Sequence, residues 1–241
     1  MKIAIVGAAG RMGQKLCALA QGTELEVVSK VDVAEGYDRD WAADVEGVID
    51  FSYHAAVPPS IAKAAERGVP YVIGTTGITP EEQKAVDAAA GKIPVVQSGN
   101  YSLGVNLLLE LVRKAATILG PEYDVEITEM HHRHKKDAPS GTALMLAKSV
   151  AAGRKVGDEF AYGRHGDIGE RPAGEIAIHA LRGGSVVGDH TVMYAGELER
   201  VELTHKAQDR TAFAAGALKA LAWAKGKPAG AYSMRDVLGF A

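Results

Sequence analysis

Six basic or potentially basic residues stand in a row at His131-His-Arg-His-Lys-Lys136. Like charges this dense repel, and such runs are usually solvated faces or nucleic-acid and localisation signals. The flanks point elsewhere. An alternating segment, Tyr123–Met130, leads directly into the run, so it is held at a strand end. A compact turn, Asp137-Ala-Pro-Ser-Gly-Thr142, then opens the apolar helix that follows. Ser140 suits an N-cap. The N–H groups of Gly141 and Thr142, with the hydroxyls, suit a carboxylate. A cationic cluster beside a helix N-terminus is what a dianionic dicarboxylate requires.

Histidine is the side chain suited to proton transfer near neutral pH. Lys135 is placed to bind a substrate carboxylate or to protonate a nitrogen. A lone histidine more often serves structure, so the weight rests on the whole segment. Three histidines this close at a strand end do not converge easily on one ion, and no metal site is expected.

A second constellation lies at the N-terminus. Gly7-Ala-Ala-Gly10-Arg-Met-Gly13 follows an apolar run and opens a helix-patterned stretch. Glycine permits a tight turn and close approach to a pyrophosphate, while the helix start offers free N–H groups. Asp32 falls ~20 residues later, where an acid hydrogen-bonds adenosine ribose hydroxyls. Val33 follows it instead of an arginine, although Arg11 and Lys30 are near. This favours NADH, alone or alongside NADPH. Gly74-Thr-Thr-Gly77 and Ser98-Gly-Asn-Tyr-Ser102 follow two later strand-like runs, the expected place for a nicotinamide and its ribose.

These groups need a scaffold. Ile3–Val6, Leu25–Val31, Gly47–Phe51, Val69–Ile73 and Ile93–Val96 read as short buried strands. Met12–Ala20 and Ala55–Arg67 read as helices between them, the latter ending at Gly68. Thr79-Pro80-Glu81-Glu82 opens another helix with an N-cap threonine, proline at the first position and a glutamate three residues on. This alternation predicts a Rossmann-like, doubly wound parallel sheet. After residue 102 the pattern changes. Leu103–Leu119 and Thr142–Ala152 read as helices. Glu175–Leu181, Asp189–Tyr194 and Leu198–Thr204 read as successive strands without intervening helices, so a mixed or antiparallel sheet is expected. Gly153–Gly174 reads as a long mobile loop. Arg210–Lys225 reads as a helix that the pattern assigns to neither half. The fold class is α/β with a second, α+β domain.

The chain has 241 residues, 47% hydrophobic and 24% charged, with net charge −3. That suffices for a real core and gives no general attraction to nucleic acid or membrane. The single cysteine, Cys17, excludes an internal disulfide and reads as a buried, inert thiol of a reducing compartment. The N-terminal apolar run is too short for a signal peptide, and no stretch approaches ~18 apolar residues. A cytoplasmic protein is expected.

The segment Glu129-x-His131-His132-x-x-Lys135-x-Asp137-x-Pro139-Ser140-Gly141-Thr142-Ala143 resembles the signature of the dihydrodipicolinate reductase family, also called 4-hydroxy-tetrahydrodipicolinate reductases. The glycine turn, Gly74-Thr-Thr-Gly77, Asn100-Tyr-Ser-Leu-Gly-Val-Asn106 and Met234-Arg-Asp-Val-Leu238 match as well, so the resemblance covers nearly the whole chain. It implies hydride transfer from NADH or NADPH to a cyclic imine dicarboxylate, on the route to diaminopimelate and lysine. It implies His131 as proton donor or acceptor and Lys135 as second proton donor. His132 would bind substrate with Gly141 and Thr142. Gly7, Ala8, Ala9, Gly10, Arg11 and Met12 would hold the pyrophosphate and Asp32 the ribose. Gly74, Thr75 and Thr76, with Ser98, Gly99, Asn100 and Tyr101, would hold the nicotinamide half. It also implies that the last helix returns to the cofactor domain (residues 1–102, completed by 211–241). Residues 103–210 would then form the domain for substrate binding and for assembly of a homotetramer.

Two departures stand out. The stretch 34–44 is short relative to longer family members, and Asp32-Val33 replaces the acid–arginine pair of some of them. Two other readings compete. Another two-domain NAD(P)-dependent dehydrogenase would share the glycine turn but not the paired histidines leading into Pro-Ser-Gly-Thr. A non-catalytic nucleotide sensor would have lost the proton donors that His131 and Lys135 supply.

Overall fold

A computed structural model describes residues 1–32 and 40–240. Val33 and residues 34–39 of the shortened stretch lie outside the described residues. The chain divides into two compact units, one of residues 1–103 and 210–241, the other of residues 104–209.

The first unit is built on a six-stranded sheet. Its strands are β1 (Lys2–Val6), β2 (Glu26–Val31), β3 (Gly47–Asp50), β4 (Tyr71–Ile73), β5 (Pro94–Gln97) and β11 (Gly230–Tyr232). Their spatial order is β11-β5-β4-β3-β1-β2, and every pairing is parallel. Strand alternation divides the core in two. Ile3 and Ile5 of β1 face one helix layer; Ala4 and Val6 face the other. The first layer contains α1 (Arg11–Ala20), α6 (Thr211–Ala224) and α7 (Met234–Leu238), contributing Leu16, Leu218, Leu221 and Met234. The second contains α2 (Val57–Arg67) and α3 (Pro80–Ala90), contributing Ile61, Ala64 and Val86. This is a doubly wound sheet whose strand order reverses between β1 and β3, the place where such folds form a crevice.

Local signals set the helix ends. Thr79 Oγ1 accepts from the Glu82 N–H, and Glu82 Oε2 accepts from the Thr79 N–H at 2.8 Å, a complete capping box. Gly68 closes α2 at φ 68°, a left-handed conformation that glycine adopts without penalty. The sequence pattern missed β11 and α7. Three residues pairing with the edge of β5 leave no periodicity to read. Cys17 is half-buried at the rim of the first layer, not fully enclosed, and burial pushes its thiol pKa up.

The second unit holds β6 (Asp124–His131), β7 (Ala161–Tyr162), β8 (Ile176–Arg182), β9 (Gly188–Ala195) and β10 (Arg200–Ala207), in the order β10-β9-β6-β8-β7. Strands β6, β7 and β8 run parallel, and β9 is antiparallel to both β6 and β10, so the sheet is mixed. Helices α4 (Leu103–Leu119) and α5 (Gly141–Arg154) pack on one face. Leu108, Val112, Leu146 and Val150 bury against Val125, Ile127, Ile178 and Val192. The segment expected as one long loop is shorter, because α5 continues to Arg154 and β7 forms within it. Among the described residues no helix is long and apolar enough to cross a membrane.

Candidate active site

In the first unit, β1 ends at a turn that wraps the start of α1. Gly7 has φ +83°, and a Cβ there would stand 2.3 Å from Phe51 O. A Cβ on Gly13 would stand 2.1 Å from Gly7 O and 2.6 Å from Ala8 Cα. Only hydrogen fits at either position, so the turn lies tight against the helix it feeds. Gly10 caps α1 without a side-chain bond, and the first turn contains no acid. A helix start in this condition favours an anion. Asp32 Oδ2 accepts from the Ala9 N–H at 2.7 Å and so joins the end of β2 to the glycine turn.

A cleft of about 350 Å³ opens beside this turn. Its lining includes Arg11, Met12, Phe51, Gly74 and residues 98–101, with Arg210 and Phe213 from the start of α6. The sequence reading missed Arg210 and Phe213, since nothing in their spacing ties them to residues 200 positions earlier. Gly74 gives Phe51 its place: a Cβ there would meet the Phe51 ring at 2.2 Å.

Several expected side chains turn inward. Thr75 is buried; its hydroxyl donates to Asp50 Oδ1 at 2.7 Å and accepts from the Ser52 N–H at 2.8 Å. The Tyr101 phenol is buried under the strand ends, with the carbonyls of Ile73 and Val96 at 2.7 and 2.9 Å. Ser98 donates to Asn100 O at 2.7 Å, and Asn100 Oδ1 accepts from the Ser102 N–H at 2.8 Å. These side chains set the loops' shape, while Thr76 and Gly99 are exposed. The Asp50 carboxylate at the centre also accepts from Tyr71 Oη and from Ser52, and burial raises its pKa despite these bonds.

In the second unit, His131 ends β6. Glu129 lies two residues earlier on the same face, and Arg182 of β8 is the register partner of His131. His131 Nδ1 is 2.6 Å from Glu129 Oε2. Arg182 donates from both terminal nitrogens to the Glu129 carboxylate at 2.9 Å, and the Ser140 N–H donates to Glu129 Oε1 at 3.0 Å. Burial alone would raise the Glu129 pKa. Arg182, His131 and the Ser140 amide outweigh it and hold the carboxyl below the usual range.

The turn between β6 and α5 is hydrogen-bonded at both ends. The Gly183 N–H donates to His131 O at 2.9 Å, and the Lys135 N–H to His132 O at 3.1 Å. Lys135 Nζ donates to both oxygens of Asp137 at 2.8 Å, which lowers the Asp137 pKa. Ser140 caps α5 by accepting from the Ala143 N–H at 3.2 Å, and its hydroxyl lies 3.1 Å from His190 Nε2. The serine is 2% exposed, and its hydroxyl holds the helix start, as its N-cap reading expects. Gly141 is exposed with open space beside it, and Thr142 and His132 are half-exposed. His190 stacks edge-on against His131 with ring centroids 5.1 Å apart. Burial, and then the neighbouring His131, lower its pKa to about 4.

A tight glycine turn opening a helix on a doubly wound parallel sheet, and a histidine–carboxylate pair on a second, mixed sheet, are the features of the two-domain dinucleotide-fold oxidoreductases. Residues 1–101 match the family model described as "Dihydrodipicolinate reductase, N-terminus", and residues 104–238 match "Dihydrodipicolinate reductase, C-terminus". The chain belongs to the dihydrodipicolinate reductase family. It is 48% identical to the 4-hydroxy-tetrahydrodipicolinate reductase of Anaeromyxobacter sp. (strain Fw109-5), covering 99% of this chain and 98% of that one. It is 49% identical to the same-named protein of Akkermansia muciniphila, covering 99% and 98%. A solved dipicolinate-bound dihydrodipicolinate reductase from Paenisporosarcina sp. TG-14 shares the fold, with TM-score 0.76, 24% identity and 97% of each chain covered.

Proposed function

We propose that this chain reduces 4-hydroxy-tetrahydrodipicolinate to tetrahydrodipicolinate with NAD(P)H, the 4-hydroxyl departing as water and leaving the conjugated imine that takes the hydride, a step on the route to diaminopimelate and lysine. The observation that carries the reading is the buried Glu129–His131 pair beside the exposed start of α5, in a chain nearly half identical to named reductases. A nicotinamide nucleotide supplies the hydride when bound. Gly7, Ala8, Ala9, Gly10, Arg11 and Met12 hold its pyrophosphate, as a helix start with no side-chain cap bond and no acid in its first turn supports. Asp32 takes the adenosine ribose. Gly74, Thr75, Thr76 and residues 98–101 frame the nicotinamide half, with Arg210 and Phe213 in the same cleft.

In the second unit His131 donates the proton, and Lys135 serves as second proton donor once substrate displaces Asp137. His132, Gly141 and Thr142 bind the carboxylates, and Ser140 fixes the helix start from beneath. The Asp32 carboxylate disfavours a 2′-phosphate, and Arg11 and Lys30 are the cations on neighbouring elements that would offset it. NADH is therefore preferred or used alongside NADPH. The sheet face opposite α4 and α5 carries Thr128, Thr191 and Thr204 in register, a surface suited to pairing with its own copy in a cytoplasmic homotetramer.

The test is a coupled assay in which the substrate is generated by its synthase and NADH and NADPH are compared. Oxidation of the nucleotide, with kcat/KM for NADH at least equal to that for NADPH, supports the reading. No oxidation with either nucleotide overturns the function, and a large NADPH advantage overturns the preference.

A further inference from the structure

Glu129 has no role that its place in the motif explains, yet three partners converge on it. A fully buried carboxylate is costly unless paired and hydrogen-bonded. Here the pairing is complete: Arg182 on both oxygens, the Ser140 N–H on Oε1 and His131 Nδ1 on Oε2. The side chain is wholly enclosed, whereas that of His131 retains 11% exposure. An ionised carboxylate only accepts hydrogen bonds. The hydrogen in the 2.6 Å contact therefore resides on His131 Nδ1, and the ring's proton-exchanging atom is Nε2. Space on that side comes from Gly188, where a Cβ would stand 2.9 Å from Nε2. The register explains the convergence. Glu129 and His131 share a face of β6, and Arg182 is the partner of His131 on β8. The Ser140 amide belongs to the turn that starts α5, so one carboxylate joins the proton-donating ring to the anion-binding helix.

We propose that Glu129, paired with Arg182, is the positioning residue of the site: it fixes His131 as the Nδ1–H tautomer, turns Nε2 toward the substrate and locks the start of α5 to the same proton donor. The kinetic consequences rest on the reductase reading above; the tautomer does not. Removing the charge but not the shape, in Glu129→Gln, frees the ring to populate both tautomers. Outer partners of this kind typically contribute about 10–100-fold. The expected loss in kcat is of that size, with KM for NADH unchanged. Glu129→Asp, which retains the charge, recovers part of the rate.

The deciding experiment combines ¹⁵N NMR of the histidine rings in the ligand-free wild-type protein, at alkaline pH, with kinetics of the two variants. His131→Gln supplies the resonance assignment. The account expects a single Nδ1–H tautomer in the wild type and, in Glu129→Gln, a mixed tautomer with the kinetic pattern above. An Nε2–H tautomer in the wild type overturns the proposal. So does a Glu129→Gln enzyme within twofold of wild-type kcat that retains the single Nδ1–H tautomer. Should Glu129→Gln not fold, the wild-type tautomer and Glu129→Asp decide. Should the wild type reduce nothing, the reductase reading fails, while the tautomer still decides the role of Glu129.

Discussion

Arg182 grips Glu129 with both terminal nitrogens, each 2.9 Å from a different carboxylate oxygen, across two neighbouring strands of the mixed sheet. The same guanidinium donates to Asp137 O at 2.6 Å, so it also braces the turn that bears Lys135. One planar fork thus holds the acid behind His131 and the backbone beside Lys135, a geometry that a lysine ammonium does not reproduce.

Arg182→Met is therefore expected to destabilise the protein by ~3 kcal/mol, because it leaves a buried carboxylate without its cation. Urea unfolding at neutral pH measures this. Arg182→Lys should recover part of the stability, and a Met variant as stable as wild type would show the fork to be dispensable.

His190 makes stability depend on pH. Its folded pKa of about 4 lies below the ordinary value of 6.5. A group with a depressed folded pKa binds protons more readily in the unfolded chain. Its penalty is absent above pH 6.5, grows as pH falls through the window from 6.5 to 4, and is complete below it. The shift corresponds to ~3 kcal/mol. His190→Asn should flatten the fall in Tm across that window. A variant whose Tm falls as steeply as wild type would rule out His190 as the source.

Gly13 is expected to tolerate no side chain. Its Cβ would collide with backbone atoms of Gly7 and Ala8, which cannot rotate away as a flexible side chain would. Gly13→Ala should weaken NADH binding at least tenfold, or lower Tm by several degrees if the turn yields instead. Isothermal titration and calorimetry distinguish these outcomes, and a variant unchanged in both would contradict the tight cradle.

Much of this architecture was legible in the sequence because it is local. Helix α4 has the predicted bounds Leu103–Leu119, and the Thr79–Glu82 box opens α3 as its residue types demand. The switch from strand–helix alternation to successive strands marks the change from a parallel to a mixed sheet. What escaped was nonlocal. Glu129 stood in the motif without a partner, since Arg182 reaches it only through the β6–β8 register. His190 was invisible because its contacts with Ser140 and His131 join residues at least 50 positions apart. Residue type does not reveal the direction in which the Ser140 and Thr75 hydroxyls point. Both hydroxyls are consumed inside, and they shape the site from behind. Arg210 and Phe213 entered the cleft because α6 returns to the first sheet, a topology that no short pattern encodes.

The central claim is hydride transfer to the imine substrate. Its most direct test supplies NADH carrying deuterium at both C4 positions, together with freshly generated substrate, and weighs the product by mass spectrometry. The account predicts tetrahydrodipicolinate one mass unit heavier than that formed with ordinary NADH, and no labelled product with His131→Gln over the same interval. Unlabelled product from the wild-type protein, or none at all, would contradict it.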